Sequence, residues 1–282
     1  MKNSDINIRD PFVLEENGKY YMYGTRAAHF GVKVGGVDVY VSSDLENWTE
    51  PMECLDSERH GLNRGVNWAP EVHKYMGKYY MFVTFTQENG LRGTYILEAE
   101  SPIGPFYPHS IGAVTPEEWE CLDGTLYVDK KGEPYVVFCH EHTQIIDGTI
   151  CYARLSDDLK SCVGEPVTLF AASECPWIDK HEESGHYVTD GPFMYRTKSG
   201  ELLMIWSSFI KEQYAELLVR FGGGELGTDF VHLPPIIDDD GGHGMIFGSE
   251  GKLVFTFHSP NATGAERPVF VEISDNGDSL SV

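Results

Sequence analysis

Apolar and polar positions along the chain fall into one arrangement that returns five times: a small or acidic start, a short apolar run, a Gly-centred turn, and a run rich in aromatic residues. The five stretches are "RDPFVLEENGKYYMYGT" from Arg9, "WAPEVHKYMGKYYMFVT" from Trp68, "LDGTLYVDKKGEPYVVFCH" from Leu122, "TDGPFMYRTKSGELLMIWSS" from Thr189 and "GGHGMIFGSEGKLVFTFH" from Gly241. Runs of this length built from β-branched and aromatic side chains read as strands, and glycine at the turn supplies the positive φ that tight hairpins require. Each stretch predicts a β-hairpin.

Successive starts lie roughly 50 to 67 residues apart, the period of units of about four strands. Further short strands follow the hairpins, as in "VDVYVSSDLENW" (37–48), "GTYILEAESPIGPF" (93–106) and "GTICYARLSDDL" (148–159). Helical periodicity is scarce, its best candidate being Pro116 to Glu120. The pattern predicts an all-β fold, a five-bladed β-propeller forming a single domain over residues 1–282.

In a propeller the innermost strands begin around one end of a central channel. Asp10, Glu71, Asp123, Asp190 and His243 sit near those starts and are expected to meet there. The Pro and Gly-Pro steps beside them fix extended geometry, which presents a side chain at the mouth of a strand. Cleaving an acetal needs a carboxylic acid for the departing oxygen and a carboxylate on the other face of the ring, and a neighbouring anion helps the acid keep its proton. Taken singly, each aspartate could merely cap a turn; their recurrence at matching places argues for chemistry. Trp68 could stack on a sugar face or pack in the core, and Trp206 reads as core packing.

Composition narrows the partners. The 21 basic and 44 acidic residues give a formal charge of -23, which repels phosphate backbones and anionic lipid, so nucleic acid and membranes are poor partners. The six cysteines show no zinc-ligand spacing and read as reduced, small apolar residues. The start of the chain is charged, without the apolar core of a secretion signal, which gives a cytoplasmic expectation unless a leader has been trimmed.

The ordered set "RDPF", "WAPEV", "LDGTLYVD", "DGPF" and "GHGMIF" resembles the five-bladed propeller glycosidases of glycoside hydrolase family 43, the arabinanases, arabinofuranosidases and xylosidases. The likeness runs from about Arg9 to Phe270. It implies Asp10 as general base, Asp123 as the residue that orients and tunes the acid, and Asp190 as general acid. The family usually has Glu before this Gly-Pro step. Asp190 is one methylene shorter, which leaves Glu71 as an understudy for the acid role or as a holder of a sugar hydroxyl. The resemblance also allows a calcium ion in the channel, with His243 as the candidate ligand. No other cofactor is implied.

The leading expectation is an inverting, exo-acting hydrolase of pentose-containing oligosaccharides or polysaccharides, of arabinofuranosidase or xylosidase type. Trp68, Glu71 and His243 are its candidate substrate-binding residues. A retaining, fructosidase-like enzyme with Asp10 as nucleophile and Glu120 of "WECLD" as acid is the runner-up; that group's "DPNG" motif is absent. A carbohydrate-binding propeller without turnover is the third reading.

Overall fold

A computed structural model describes residues 1–26, 35–62, 65–182 and 184–282. Four of its sheets have four strands, each running from the axis outwards in chain order. The first blade holds β1 (Arg9–Glu16), β2 (Lys19–Thr25), β3 (Val37–Ser42) and β4 (Met52–Leu55). The second holds β5 (Trp68–Tyr75), β6 (Lys78–Thr86), β7 (Arg92–Ala99) and β8 (Tyr107–Pro108). In the third are β9 (Cys121–Val128), β10 (Pro134–His140), β11 (Thr149–Leu155) and β12 (Cys162–Ala171). The fourth comprises β13 (Asp190–Arg196), β14 (Leu202–Ile210), β15 (Gln213–Phe221) and β16 (Phe230–Ile237). The fifth sheet has three strands, β17 (Gly242–Ser249), β18 (Lys252–Ser259) and β19 (Arg267–Glu272), and a small hairpin of β20 (Ser274–Asp275) and β21 (Leu280–Ser281) follows. This is the five-bladed propeller expected from the repeat.

The inner hairpins form where the sequence places them. At Asn17-Gly18, Met76-Gly77 and Glu250-Gly251 two residues of positive φ link the strands, the twist that matches right-handed ladders. Second strands such as "LLMIWSS" and "KYYMFVT" are apolar on both faces along their middles because blades cover both sides, and Met81, Phe82, Met204, Ile205 and Trp206 are fully buried. The N-terminal segment joins the last blade to the first: Asn7 Nδ2 donates to Glu266 O at 2.8 Å, Arg267 Nε to Ser4 O at 2.8 Å, and the terminal amino group to Trp48 O at 2.6 Å.

One expectation differs. Residues 116–120 make a single turn, closed by Trp119 N–H to Pro116 O, and the α-helical turn α1 is His142–Ile145. Glu120 is drawn out of any helix because its N–H donates to Gln144 Oε1 and its carbonyl accepts from Glu141 N–H, which staples the turn to α1.

Candidate active site

Every inner strand carries the same β-bulge. The ladder runs Arg9 opposite Thr25 then Phe12 opposite Tyr23, Trp68 opposite Thr84 then Glu71 opposite Phe82, and Leu122 opposite Cys139 then Thr125 opposite Val137. It continues with Asp190 opposite Ser207 then Phe193 opposite Ile205, and Gly242 opposite His258 then Met245 opposite Thr256. Two residues therefore face one in each blade, and the first of the two has φ between 43° and 56°: Asp10, Ala69, Asp123, Gly191 and His243. Such left-handed backbone costs of order 1–3 kcal/mol at a non-glycine residue and persists only where surroundings enforce it.

The surroundings are a ring of clamps between blades. The Asp10 N–H donates to His258 Nδ1 (3.2 Å), Ala69 N–H to Thr25 Oγ1 (2.7 Å), Asp123 N–H to Thr84 Oγ1 (3.1 Å) and His243 N–H to Ser207 Oγ (2.6 Å). Each acceptor belongs to the second strand of the preceding blade, opposite the residue before its bulge. In the third blade that place is held by Cys139, a poor acceptor, and the Gly191 N–H donates instead to Asp123 Oδ2 at 3.1 Å. Gly191 must lack a Cβ, which would stand 2.7 Å from the His243 ring.

This geometry corrects the alignment of the acidic residues. Asp10 and Asp123 occupy bulges, whereas Asp190 precedes one, in the place held elsewhere by Arg9, Trp68, Leu122 and Gly242. Both sets converge: Arg9, Asp10, Trp68, Arg92, Leu122, Asp123, Glu141, Asp190, Tyr214 and His243 line one pocket of about 120 Å³. Glu71 lies immediately after its bulge and is not among that lining. It borders a smaller cavity with Asp10, Phe12 and His243 and bonds His73 Nε2 at 2.8 Å.

Burial alone would raise the Asp10 carboxyl, but His243 (Nδ1 to Oδ1 3.2 Å), Arg9, His258 and a 2.6 Å hydrogen bond from Thr25 outweigh it and hold Asp10 below the usual carboxylate range. Asp123 is pushed well up by burial and the charge of Asp10. Asp190 keeps part of its surface open to the pocket, yet burial and the charges of Asp123 and Glu141 raise it to about 7, against the 3.0 Å hydrogen bond from Tyr214. The site thus holds one firmly ionised carboxylate, Asp10, and a coupled pair, Asp123 and Asp190, in which each charge raises the proton affinity of its neighbour. His258, lowered to about 4 by burial, is neutral; its Nδ1 accepts from Asp10 N–H, so Nε2 donates to Asn261 Oδ1.

Five lining residues lie outside the sequence expectations: Arg9, Arg92, Leu122, Glu141 and Tyr214. Arg9 was passed over as part of "RDPF", and it pairs with buried Glu266 at 3.1 Å. Arg92, Glu141 and Tyr214 reach the pocket from the ends of second and third strands, where neither spacing nor repeat signals them. Glu120, the acid of the fructosidase-like alternative, is bound to Arg92 Nε and is not among the lining residues, so that alternative lacks its acid. Among the described residues no group of three or more His, Cys, Asp or Glu is placed to hold a metal ion, and His243 Nδ1 lies 3.2 Å from Asp10 Oδ1 and 3.8 Å from Asp123 Oδ2.

Among solved structures, the chain is similar to an endo-arabinase from Bacteroides thetaiotaomicron VPI-5482, with 38% identity, a TM-score of 0.90 and 99% of each chain covered. An extracellular endo-alpha-(1->5)-L-arabinanase of Bacillus subtilis (strain 168) is 25% identical over 46% of this chain, and an arabinoxylan arabinofuranohydrolase of Paenibacillus polymyxa is 25% identical over 66% of it. Those matches span 42% and 34% of the two relatives. The family model of glycosyl hydrolases family 43 matches residues 5–220, most of the ring that carries the pocket, and the chain is a member of glycosyl hydrolases family 43.

Proposed function

We propose that the chain hydrolyses O-glycosidic bonds of arabinose-containing glycans or short oligosaccharides by a single inverting displacement, releasing sugars from the chain end. Asp10, the ionised carboxylate, takes a proton from the attacking water. Asp190 delivers its proton to the departing glycosidic oxygen, and Asp123 holds the Gly191 backbone beside it while its proximity favours the protonated form of Asp190. The observation that carries the reading is the divergence of two carboxyls in one pocket, Asp10 held below the usual range and Asp190 raised to about 7. Retaining enzymes need instead a nucleophile and an acid in close partnership, and Glu120 is committed to Arg92.

The charge balance favours a neutral sugar. Arg9 is paired with Glu266, and Arg92 with Glu120 and Glu141, so neither guanidinium is free for an anionic substrate. A pocket of about 120 Å³ suits one sugar ring, which supports action at chain ends. No cofactor enters this reading. Proton NMR of linear α-1,5-arabino-oligosaccharide hydrolysis tests it: the first-formed anomer is inverted and the product is arabinose alone. A retained anomer overturns the single displacement, and a ladder of oligosaccharides overturns the exo assignment.

A further inference from the structure

We infer that Glu141, pinned by Arg92, is a working carboxylate of the pocket: it stands over Asp190 as a fixed negative charge and accepts a hydrogen bond from the bound sugar. The inference rests on the proposed function, since it concerns how the short Asp190 manages the acid role. Glu141 is 4% exposed and reaches the pocket from the β10–α1 junction, outside the inner strands that supply the three aspartates. A buried carboxylate so placed is costly unless paired. Its Oε2 accepts from Arg92 Nη2 at 2.6 Å and its Oε1 from His142 N–H at 3.0 Å.

Its position is over-determined. Glu141 N–H donates to Glu120 O, Gln144 Oε1 accepts from Glu120 N–H, His140 stacks on Trp119 with ring centres 4.2 Å apart, and Arg92 is held from its other side by Glu120. Such support is what a functional side chain needs and a surface ion pair does not. Oε1 also stands 3.2 Å from His142 Nε2, and Oε2, bonded to Arg92, keeps a lone pair for a further donor. The groups facing Asp190 are Asp123 from β9, Tyr214 from β15, His243 from β17 and Cys139 from β10, together with Glu141. Of these, Asp123 and Glu141 raise its proton affinity, and His243 and Tyr214 lower it.

The test compares Glu141→Gln with Glu141→Asp. Carbon-13 NMR of the Asp carboxyls, assigned with Asp190→Asn, follows Asp190 without any need for turnover. The Asp190 midpoint falls by about one pH unit in Glu141→Gln, and Glu141→Asp restores most of the shift while KM for 4-nitrophenyl α-L-arabinofuranoside rises about tenfold in both. An unmoved midpoint in Glu141→Gln overturns the inference. So does a selective loss on poor leaving groups in Glu141→Ala equal to that of Asp190→Ala, because Glu141 would then be the donor itself. Absence of turnover by the native chain, with the midpoint shift present, defeats the proposed function and leaves the electrostatic role standing.

Discussion

The Gly191 N–H stands 3.1 Å from Asp123 Oδ2, so the carboxylate of one blade is bonded to the backbone that immediately follows the proposed acid of the next. Displacing Asp123 changes both the position of Asp190 and the charge beside it. Asp123→Asn keeps an oxygen for the Gly191 N–H but removes the charge. It is expected to lower kcat/KM more at pH 7 than at pH 5, because Asp190 then loses its proton earlier. Equal losses at both pH values would confine Asp123 to positioning.

Asp10→Asn is expected to fold normally and to lower kcat by about 100-fold or more, the usual contribution of a general base. The kcat/KM profile of the native chain falls on the alkaline side through about 7, as Asp190 loses its proton. On the acid side it falls only below the ordinary carboxylate range, as Asp10 gains one. Near-native turnover in Asp10→Asn would remove Asp10 from the mechanism.

Removing the acid should be selective. Asp190→Ala is expected to lose about 100-fold on arabinobiose and far less on 4-nitrophenyl α-L-arabinofuranoside, whose phenolate leaves without a proton. Glu71→Ala, altered in the smaller cavity beneath, should show no such leaving-group dependence. Comparing kcat/KM for both variants on both substrates decides the assignment; selectivity in Glu71→Ala would return the acid role to Glu71.

The raised carboxyls also cost stability. A group whose native proton affinity exceeds its unfolded one supports folding fully below the unfolded pKa, and that support is lost as pH rises through the native value. For Asp190 the window runs from about 4 to about 7. Asp190→Asn should therefore raise Tm relative to the native chain by several °C at pH 7.5, given about 1.4 kcal/mol per pKa unit, with no gain at pH 3.5. Calorimetry at the two pH values reads the difference, and a gain that persists at pH 3.5 would mean the charge is not its source.

The clamps make a separate prediction. Thr25 accepts from Ala69 N–H and donates to Asp10, so Thr25→Val orphans a buried amide and frees the base at once. The expected loss is about 1–3 kcal/mol of stability, with a rise in the pKa of the acid limb. Urea unfolding and a pH profile check the two effects independently.

The ring was legible in the sequence because hairpins announce themselves: Asn17-Gly18 and Glu250-Gly251 are turn chemistry, and "KLVFTFH" has no other way to be buried. Asp10 and Asp190 were legible at the pocket because Pro and Gly-Pro follow them at strand mouths, although Asp10 and Gly191 take left-handed backbone there rather than the extended geometry expected of a residue before proline. Their register was not. Asp123-Gly and Asp190-Gly look alike as letters, yet a bulge separates their places by one residue, and only paired strands show it. Glu71, three letters after Trp68, looked as close to the mouth as Asp123 and is carried past it by the same bulge. Glu141 and Arg92 were out of reach for another reason: they enter from second and third strands, whose ends are set by how the blades stack.

The five bulges offer two seats per blade around one opening, with Asp, Ala, Asp, Gly and His in one tier and Arg, Trp, Leu, Asp and Gly in the other. Four of the five clamps hold the main chain from the neighbouring blade's second strand, so those bulges persist with different side chains; Gly191, held by the Asp123 carboxyl and crowded by the His243 ring, is the exception. Gly242 marks the limit of that freedom: a Cβ added there would stand 2.6 Å from the Tyr214 ring and 2.8 Å from Ser207 Oγ, the atom that clamps His243, so a larger occupant would unseat its neighbour.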